Sequence, residues 1–348
     1  MVELKRDNLL KTDAQALVNT VNCVGVMGKG IALQFKQAFP ENFKAYEKAC
    51  RKEEITLGKV FIYQTGSLIN PKYIINFPTK KHWRCKSKLA DIQSGLQSLV
   101  EEVHRLGITS IAIPPLGCGY GGLKWSQVQP IVESAFRKLP EVDVFLFEPK
   151  GAPQVDAMPV RTKKPKMTLS RALFVKLLQR YAIPGYRLTL LEIQKLAYFL
   201  QAAGQPLRLN YNKHKYGPYA ENLNFVLQQI EGHYIRGYGD RSKGAKIYLL
   251  PDATEIADKV LSNQPEAHGR LNRVGKLIDG FETPYGMELL ASVHWVAIKG
   301  GNPAITAEEA IDKVLSWSRR KKLTFKPAHI RKAWNRLETQ AWLSASVN

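Results

Sequence analysis

Two glycine-rich stretches and one run of cations hold most of the residues in this sequence that could do chemistry. The first is Val18-Asn19-Thr20-Val21-Asn22-Cys23-Val24-Gly25-Val26-Met27-Gly28-Lys29-Gly30-Ile31-Ala32, where two asparagines precede the glycines. The second is Pro114-Pro115-Leu116-Gly117-Cys118-Gly119-Tyr120-Gly121-Gly122. Glycine lets backbone N–H groups approach a phosphate with no Cβ in the way, and a helix starting at such a loop adds the positive end of its dipole. Anion binding is the chemistry that follows, although a turn of this composition also serves as a plain connection. The spacing fits neither G-x-x-x-x-G-K-[ST] nor G-x-G-x-x-G, because Gly28-Lys29-Gly30 runs into Ile31-Ala32-Leu33 with no third glycine. The cationic run is Pro78-Thr79-Lys80-Lys81-His82-Trp83-Arg84-Cys85-Lys86, the most basic loop of the first half. Its cations suit phosphates, and Trp83 suits stacking on a base or packing.

These segments need elements to hold them. A strand signal covers Ala14 to Val18, and an apolar-periodic helix starts near Ile31. Pro40 interrupts that helix, so a second helix is predicted over Phe43 to Arg51. Lys59 to Tyr63 and Tyr73 to Phe77 read as strands, with the basic run as the loop behind the second. Leu89 to Leu106 is an amphipathic helix stopped by Gly107. Ile108 to Ile113 is an apolar strand of the sort found at a sheet centre, leading into the second glycine stretch. A helix over Ser126 to Arg137 and a strand over Val142 to Phe147 follow. Ligands of open α/β sheets sit at the carboxyl ends of the strands, so the two glycine loops are placed to clamp one phosphate-bearing ligand.

Four separated segments make this half resemble a macrodomain, the ADP-ribose-binding α/β/α fold. They are Val-Asn-Thr-Val-Asn at 18–22, Gly-x-x-Gly-x-Gly-Ile-Ala at 25–32, the Tyr73 to Phe77 strand with Lys80 behind it, and Pro-Pro-Leu-Gly-Cys-Gly at 114–119 before Leu123-Lys124-Trp125. The version with Lys80 is similar to the DarG antitoxins, which remove ADP-ribose from DNA, and to the terminal ADP-ribose protein glycohydrolase. The resemblance implies a three-layer sandwich with a mixed sheet over 1–151. It implies substrate contacts at Asn8, Leu9, Asn19, Asn22, Gly28, Lys29, Gly30, Ile31, Gly117, Cys118, Gly119, Tyr120 and Gly121. Asn22 would hold the distal ribose, the turns Gly28 to Ile31 and Gly117 to Gly121 the diphosphate, and Lys80 would be catalytic, with no cofactor and no metal. Two positions depart from the pattern. Asn8 stands where many macrodomains place an aspartate at the adenine, and Gly121 stands where the protein glycohydrolase has an aspartate.

Glycosidic cleavage usually employs two carboxylates around an oxocarbenium-like transition state, and neither glycine loop offers them. A neutral lysine can attack the sugar C1, and Lys81, His82 and Arg84 would lower the Lys80 pKa by like-charge repulsion. A charged lysine can instead protonate the leaving base. The sequence leaves both roles open, and the missing aspartate favours the acid or electrostatic one. Lys81, Arg84 and Lys86 read as contacts to a DNA backbone.

Lysine and arginine total 51 against 30 aspartates and glutamates, for a net charge of +21, and the pI near 9.7 points to a polyanionic partner. Both halves share the excess, 21 against 14 in 1–150 and 30 against 16 in 151–348. Cys23, Cys50, Cys85 and Cys118 form no C-x-x-C and stand near no paired histidines, which suggests neither a disulfide framework nor a zinc site. No apolar run reaches the roughly 18 residues of a membrane span, and Met1 to Arg6 has no leader character. A cytoplasmic protein with reduced thiols and no membrane partner is expected.

Pro159 to Lys166 is a proline-spaced basic tether, which sets the expected division at 1–151, a linker 152–168 and a mainly helical domain 169–348. Thr189-Leu190-Leu191-Glu192 is a capping box opening a helix that Gly204 closes. Thr306 opens another helix, running to Trp317, and Pro327 starts a last one containing Ile330, Trp334 and Leu337. A strand pair around Tyr234 to Tyr238 and Ala245 to Leu250 is the only β signal, and Gly217-Pro218-Tyr219 reads as a fixed turn. The histidines are scattered, so no catalysis is expected here. Lys195-Leu-Ala-Tyr198-Phe199-Leu200-Gln201 followed by Lys215-Tyr216-Gly217-Pro218-Tyr219-Ala220 resembles the SocA-like (Panacea) antitoxin domain. The order macrodomain, basic linker, SocA-like domain is that of the DarG family, and it implies that 169–348 binds the toxin DarT, a DNA ADP-ribosyltransferase. Either acids such as Glu221, Glu231 and Asp240 cluster for that contact, or apolar groups dominate it. The leading expectation is an enzyme that removes ADP-ribose from thymine in single-stranded DNA. A non-catalytic ADP-ribose reader and a basic nucleic-acid-binding regulator are the alternatives.

Overall fold

The computed structural model describes residues 1–149, 158–182, 186–239, 246–299 and 302–343. The chain forms two compact units, the first over Met1–Lys163 and the second starting at Lys164. In the first, β1 (Val2–Lys5), β2 (Ala16–Asn22), β3 (Phe61–Gln64), β4 (Tyr73–Lys80), β5 (Ser110–Ile113) and β6 (Asp143–Phe147) make one sheet in the order β1-β6-β5-β2-β4-β3. Every pairing is parallel except β3 with β4. Helices α1 (Gly30–Ala38) and α2 (Pro40–Arg51) cover one face, and α3 (Leu89–Arg105) and α4 (Trp125–Phe136) the other.

Alternation along the strands explains the two faces. Leu17, Ile74 and Ala112 meet Ile31 and Phe35 of α1. Their neighbours Val18, Ile75, Ile111 and Ile113 meet Ile92, Leu96 and Leu99 of α3 and Val128 and Val132 of α4. The approach of α3 to the sheet depends on Gly95, where an added Cβ would lie 2.4 Å from Cζ of Phe77.

Three local expectations change. Pro40 begins α2 instead of only breaking α1, because at the first helical position its missing N–H is no loss. The β2 strand runs on through Asn22, and β4 runs through Pro78 to Lys80, so Lys80 is a strand residue and not part of a loop. The cause is mutual pairing, from Ala16 opposite Tyr73 to Val21 opposite Pro78. Since β3 reaches only to Phe61, opposite Asn76, Pro78 lies where one side of β4 has no ladder to supply.

The second unit is built from α5 (Leu169–Tyr181), α6 (Leu190–Ala202), β7 (Tyr211–His214), β8 (Gly217–Ala220), α7 (Leu223–Ile230), β9 (Ile235–Arg236), β10 (Tyr248–Leu249), α8 (Pro251–Leu261), α9 (Pro265–Ile278), α10 (Pro284–Ile298), α11 (Ala307–Leu315), α12 (Arg319–Thr324) and α13 (Pro327–Thr339). The capping box forms, with Glu192 accepting from the Thr189 N–H and hydroxyl and from the hydroxyls of Tyr181 and Tyr186, each at 2.7 Å. The helix opened by Thr306 ends at Leu315, short of Trp317. Besides the expected β9–β10 pair there is a second hairpin, β7–β8, and Gly217-Pro218-Tyr219 is its second strand instead of a turn. Helices α6 and α10 are the buried centre. There the Lys195 ammonium donates to the Pro218 carbonyl at 2.6 Å, and Lys321 donates to Glu288 and Ser292, both at 2.8 Å.

Of the acids named as one alternative for the toxin contact, Glu231 is buried and accepts from the N–H groups of Gly237 and Tyr238, Glu221 is exposed, and Asp240 lies outside the described residues. Of the expected linker, 152–157 lies outside the described residues. Arg161 N–H donates to the Gln37 carbonyl at 2.8 Å, so this part packs on the first unit.

Candidate active site

The central strands β5, β2 and β4 are neighbours, and each ends at one of the three chemically suggestive segments. Between β2 and β4 the register shifts: Val21 opposes Pro78 but Asn22 opposes Lys80, leaving Thr79 as the extra residue of a bulge. A bulge re-aims the side chains beyond it. Here it sets Asn22 and Lys80 side by side at the carboxyl ends of their strands, with the Thr79 hydroxyl donating to the Val21 carbonyl at 3.3 Å. The Cys23 N–H then donates to the Lys81 carbonyl at 3.1 Å, tying the first glycine loop to the basic segment.

Asn22 shapes the loop that follows it. Its Oδ1 accepts from the N–H groups of Val24 at 2.9 Å and Val26 at 3.4 Å, and its Nδ2 donates to the Val26 carbonyl at 2.6 Å. From α2, the buried Tyr46 hydroxyl donates to the Asn22 carbonyl at 2.6 Å. The loop ends at Gly30, which takes a φ of +60°, and Lys29 at the N-cap makes no side-chain capping bond to the α1 N–H groups. The first turn of α1 thus keeps its positive end for an anion.

The second glycine loop follows β5 and is joined to the basic segment, since the Ser87 N–H donates to the Gly121 carbonyl at 3.1 Å. The space a side chain would need at Gly121 is already filled: a Cβ there would lie 2.3 Å from the Gly117 carbonyl oxygen and 2.4 Å from Ser87 Oγ. A carboxylate at 121 is therefore excluded by this packing as well as by the sequence. The Ser87 hydroxyl is buried without a hydrogen-bond partner.

The electrostatics single out Lys80. Burial lowers its pKa first, and Lys86 lowers it further, with Cys85 opposing. The expected cause was different, because Lys81, His82 and Arg84 are not the neighbours responsible. Residues 22–31, 80–88 and 114–123 contain no aspartate or glutamate. The two thiols of the glycine loops offer no alternative nucleophile, since burial pushes both Cys23 and Cys118 up to about 11.

A family profile described as the Macro domain matches residues 18–132. A DNA ADP-ribosyl glycohydrolase of Thermus aquaticus is 45% identical over 338 residues, spanning 97% of this chain and 93% of the relative. The chain belongs to the DNA ADP-ribosyl glycohydrolase family. A relative of the same description from Mycobacterium tuberculosis is 43% identical over 342 residues, or 92% of this chain and 94% of its own. A Thermosipho africanus protein described as a DNA ADP-ribosyl transferase–DNA ADP-ribosyl glycohydrolase fusion is 38% identical over 162 residues, 42% of each chain.

In this member of the glycohydrolase family the expected contacts fall into two groups. Asn22, Gly28, Lys29, Gly30, Ile31, Lys80 and the Gly117 to Gly121 turn lie on the three segments joined at the strand ends. Tyr120 is exposed there, and Cys118 is half-buried with its thiol directed to the Leu116 carbonyl. Of the others, Asn19 and Leu9 are buried and Asn8 is half-buried. Asn19 sits in mid-strand, fully buried, with Nδ2 donating to Asn76 Oδ1 at 3.0 Å and Asn76 in turn donating to Asn42 at 2.7 Å. It braces β2 against β4 from the interior. Leu9 belongs to the core against α1, which leaves only its backbone for a ligand. The Asn8 Oδ1 accepts from the Leu10 N–H at 3.1 Å, capping the turn Leu9–Lys11. Three residues escaped sequence reading: Thr79, Tyr46 and Ser87. Each matters only through a partner distant in sequence, and no local pattern marks it.

Proposed function

We propose that this family member hydrolyses the N-glycosidic bond joining ADP-ribose to thymine in DNA, with Lys80 as the group that acts on the bond. The observation that carries the reading is the pairing of Asn22 with Lys80 across the bulge, between two glycine loops suited to a diphosphate. Asn22 holds the ribose next to the thymine, the loops fix the diphosphate, and Lys80 meets the departing base. Water adds to the ribose C1 as the C1–N bond breaks. The electron pair of that bond passes to the thymine nitrogen, which takes the Lys80 proton, and the proton lost by the water restores Lys80 by way of solvent. A lysine whose pKa is lowered towards the working pH is a better acid than an ordinary one.

The full chain, given a single-stranded oligonucleotide modified by the toxin, tests this. Lys80→Ala is expected to lower kcat by about 100-fold or more, the usual loss on removing a general acid. An unchanged rate removes Lys80 from the chemistry, and a wild type that releases no ADP-ribose ends the enzymatic reading. The lowered pKa also supports a second role, attack on C1 by the neutral amine. The two differ in sign: kcat falls as pH rises through the Lys80 pKa if it is the acid, and rises if it is the nucleophile. A borohydride-trapped adduct on Lys80 would establish the latter.

The second unit is read as the toxin-binding half, supported by the order of the two domains and by the fusion of the two activities in the Thermosipho africanus relative. Co-elution of the full chain with the toxin on size exclusion is the expected result. Separate elution at micromolar concentrations overturns it.

A further inference from the structure

The turn beyond Lys80 is fixed at both ends. The Lys81 carbonyl is held by Cys23, and the Ser87 N–H by Gly121. Within it, the Cys85 N–H donates to the His82 carbonyl at 2.9 Å and the Arg84 N–H to His82 Nδ1 at 3.2 Å. This held backbone presents an unusual surface. Trp83 is 39% exposed, with the Arg84 guanidinium 4.4 Å from its ring and the His82 imidazole 5.1 Å away at an interplanar angle of 32°. Three flat groups are thus gathered on the outside of the fold. Around them lie Lys81, Lys86 and Lys88, all exposed. Among the described residues none of Lys80, Lys81, Arg84, Lys86 and Lys88 is paired with a carboxylate.

We infer that this turn is the rest for the DNA strand that carries the modified base: the Trp83–Arg84 pair stacks on the base next to it, and Lys81, Lys86 and Lys88 meet backbone phosphates. The inference rests on the proposed function for its position, since Lys80 at the foot of the turn marks where the modified thymine would sit. The partner follows from the chemistry. Unneutralised cations suit a polyanion, and an exposed indole beside a guanidinium suits a base whose face is open, which single strands offer and duplexes do not. An acidic protein surface would use the cations but would leave the rings without a role.

Trp83→Ala and Trp83→Phe in the full chain test it against two substrates, an ADP-ribosylated single-stranded oligonucleotide and ADP-ribosylated thymidine. Trp83→Ala is expected to raise KM for the oligonucleotide on the order of tenfold, the effect of losing one base–aromatic stack, with kcat within about twofold. Trp83→Phe should restore most of the affinity, and neither variant should change hydrolysis of the modified thymidine. Equal loss on both substrates, or no change on the oligonucleotide, overturns the inference. Binding of unmodified single-stranded oligonucleotide, read by fluorescence anisotropy, separates it from the proposed function. If the wild type binds but releases no ADP-ribose, and Trp83→Ala weakens binding, the strand rest stands and the enzymatic reading fails. Binding that Trp83→Ala leaves unchanged sinks the rest alone.

Discussion

At the scale of single residues, the site is defined as much by what cannot be present as by what is. Gly121 faces the Gly117 carbonyl and Ser87 Oγ so closely that no side chain fits without moving the backbone. Gly121→Asp, which would supply the missing carboxylate, is therefore expected to displace the loop and not to add a second catalytic group. ADP-ribose affinity measured by calorimetry should fall by about tenfold or more, in line with the roughly 1–3 kcal/mol of overpacking; affinity and kcat that hold or rise would refute this. Residue type and family resemblance mark Asn22, Lys80 and the glycines in the sequence, and the fold brings their segments together at the strand ends. The cause of the lowered Lys80 pKa is not marked in the sequence, because burial and the approach of Lys86 are properties of the folded turn. Asn19 shares its type and segment with Asn22, and only the fold shows that it lies in the interior.

At the scale of elements, pairing overrode local composition. Pro78 and the cations behind it read as loop, yet β2 draws β4 onward to Lys80, and the cost of the proline is small where β3 has ended. Gly217-Pro218 reads as a turn, yet it pairs with Lys213 and His214 in a hairpin. The β2–β4 ladder joins residues far apart in sequence, which no local window shows, whereas the β7–β8 hairpin is local and turns at Lys215-Tyr216, just ahead of the expected place. The helices that the sequence marked lie within a few residues of their expected bounds, while α5, α7, α8, α9, α10 and α12 had no individual mark. The helix–sheet contact makes its own prediction. Because Gly95 abuts the Phe77 ring, Gly95→Ala should destabilise the chain by about 1–3 kcal/mol despite alanine's higher helix propensity. A denaturant midpoint at or above the wild-type value would show that the ring can give way.

At the scale of the molecule, the prolines and basic residues before 169 mark a boundary in the sequence, whereas the ionic centre of the second unit has no such mark. Glu288 is buried between Arg320, at 2.6 and 3.0 Å, and Lys321. Removing it leaves a buried ammonium unpaired, so Glu288→Ala should cost about 3–5 kcal/mol, read from the thermal transition of the full chain. Lys195 gives a pH signature. Burial, and then the Lys321 charge, lower its pKa to about 7 in the folded state, from an ordinary value of 10.5. Between those values the unfolded chain binds more protons, so this group's contribution makes stability rise with pH across that window, and its penalty is fully present below about 7. Lys195→Met lacks the penalty, and its stability relative to the wild type should therefore decline from pH 7 to 9.5. A pH-independent difference would show that the amine stays charged.

The bonds that Asn22 makes within its own loop bear on how a ligand would enter. The side chain proposed to hold the ribose already satisfies the amides of Val24 and Val26, so binding would exchange one set of hydrogen bonds for another. Those two amides then become reporters. In hydrogen–deuterium exchange they should be protected in the free protein and should change rate when ADP-ribose is added, while the amides of Ala16 to Val18, deep in β2, stay as they were.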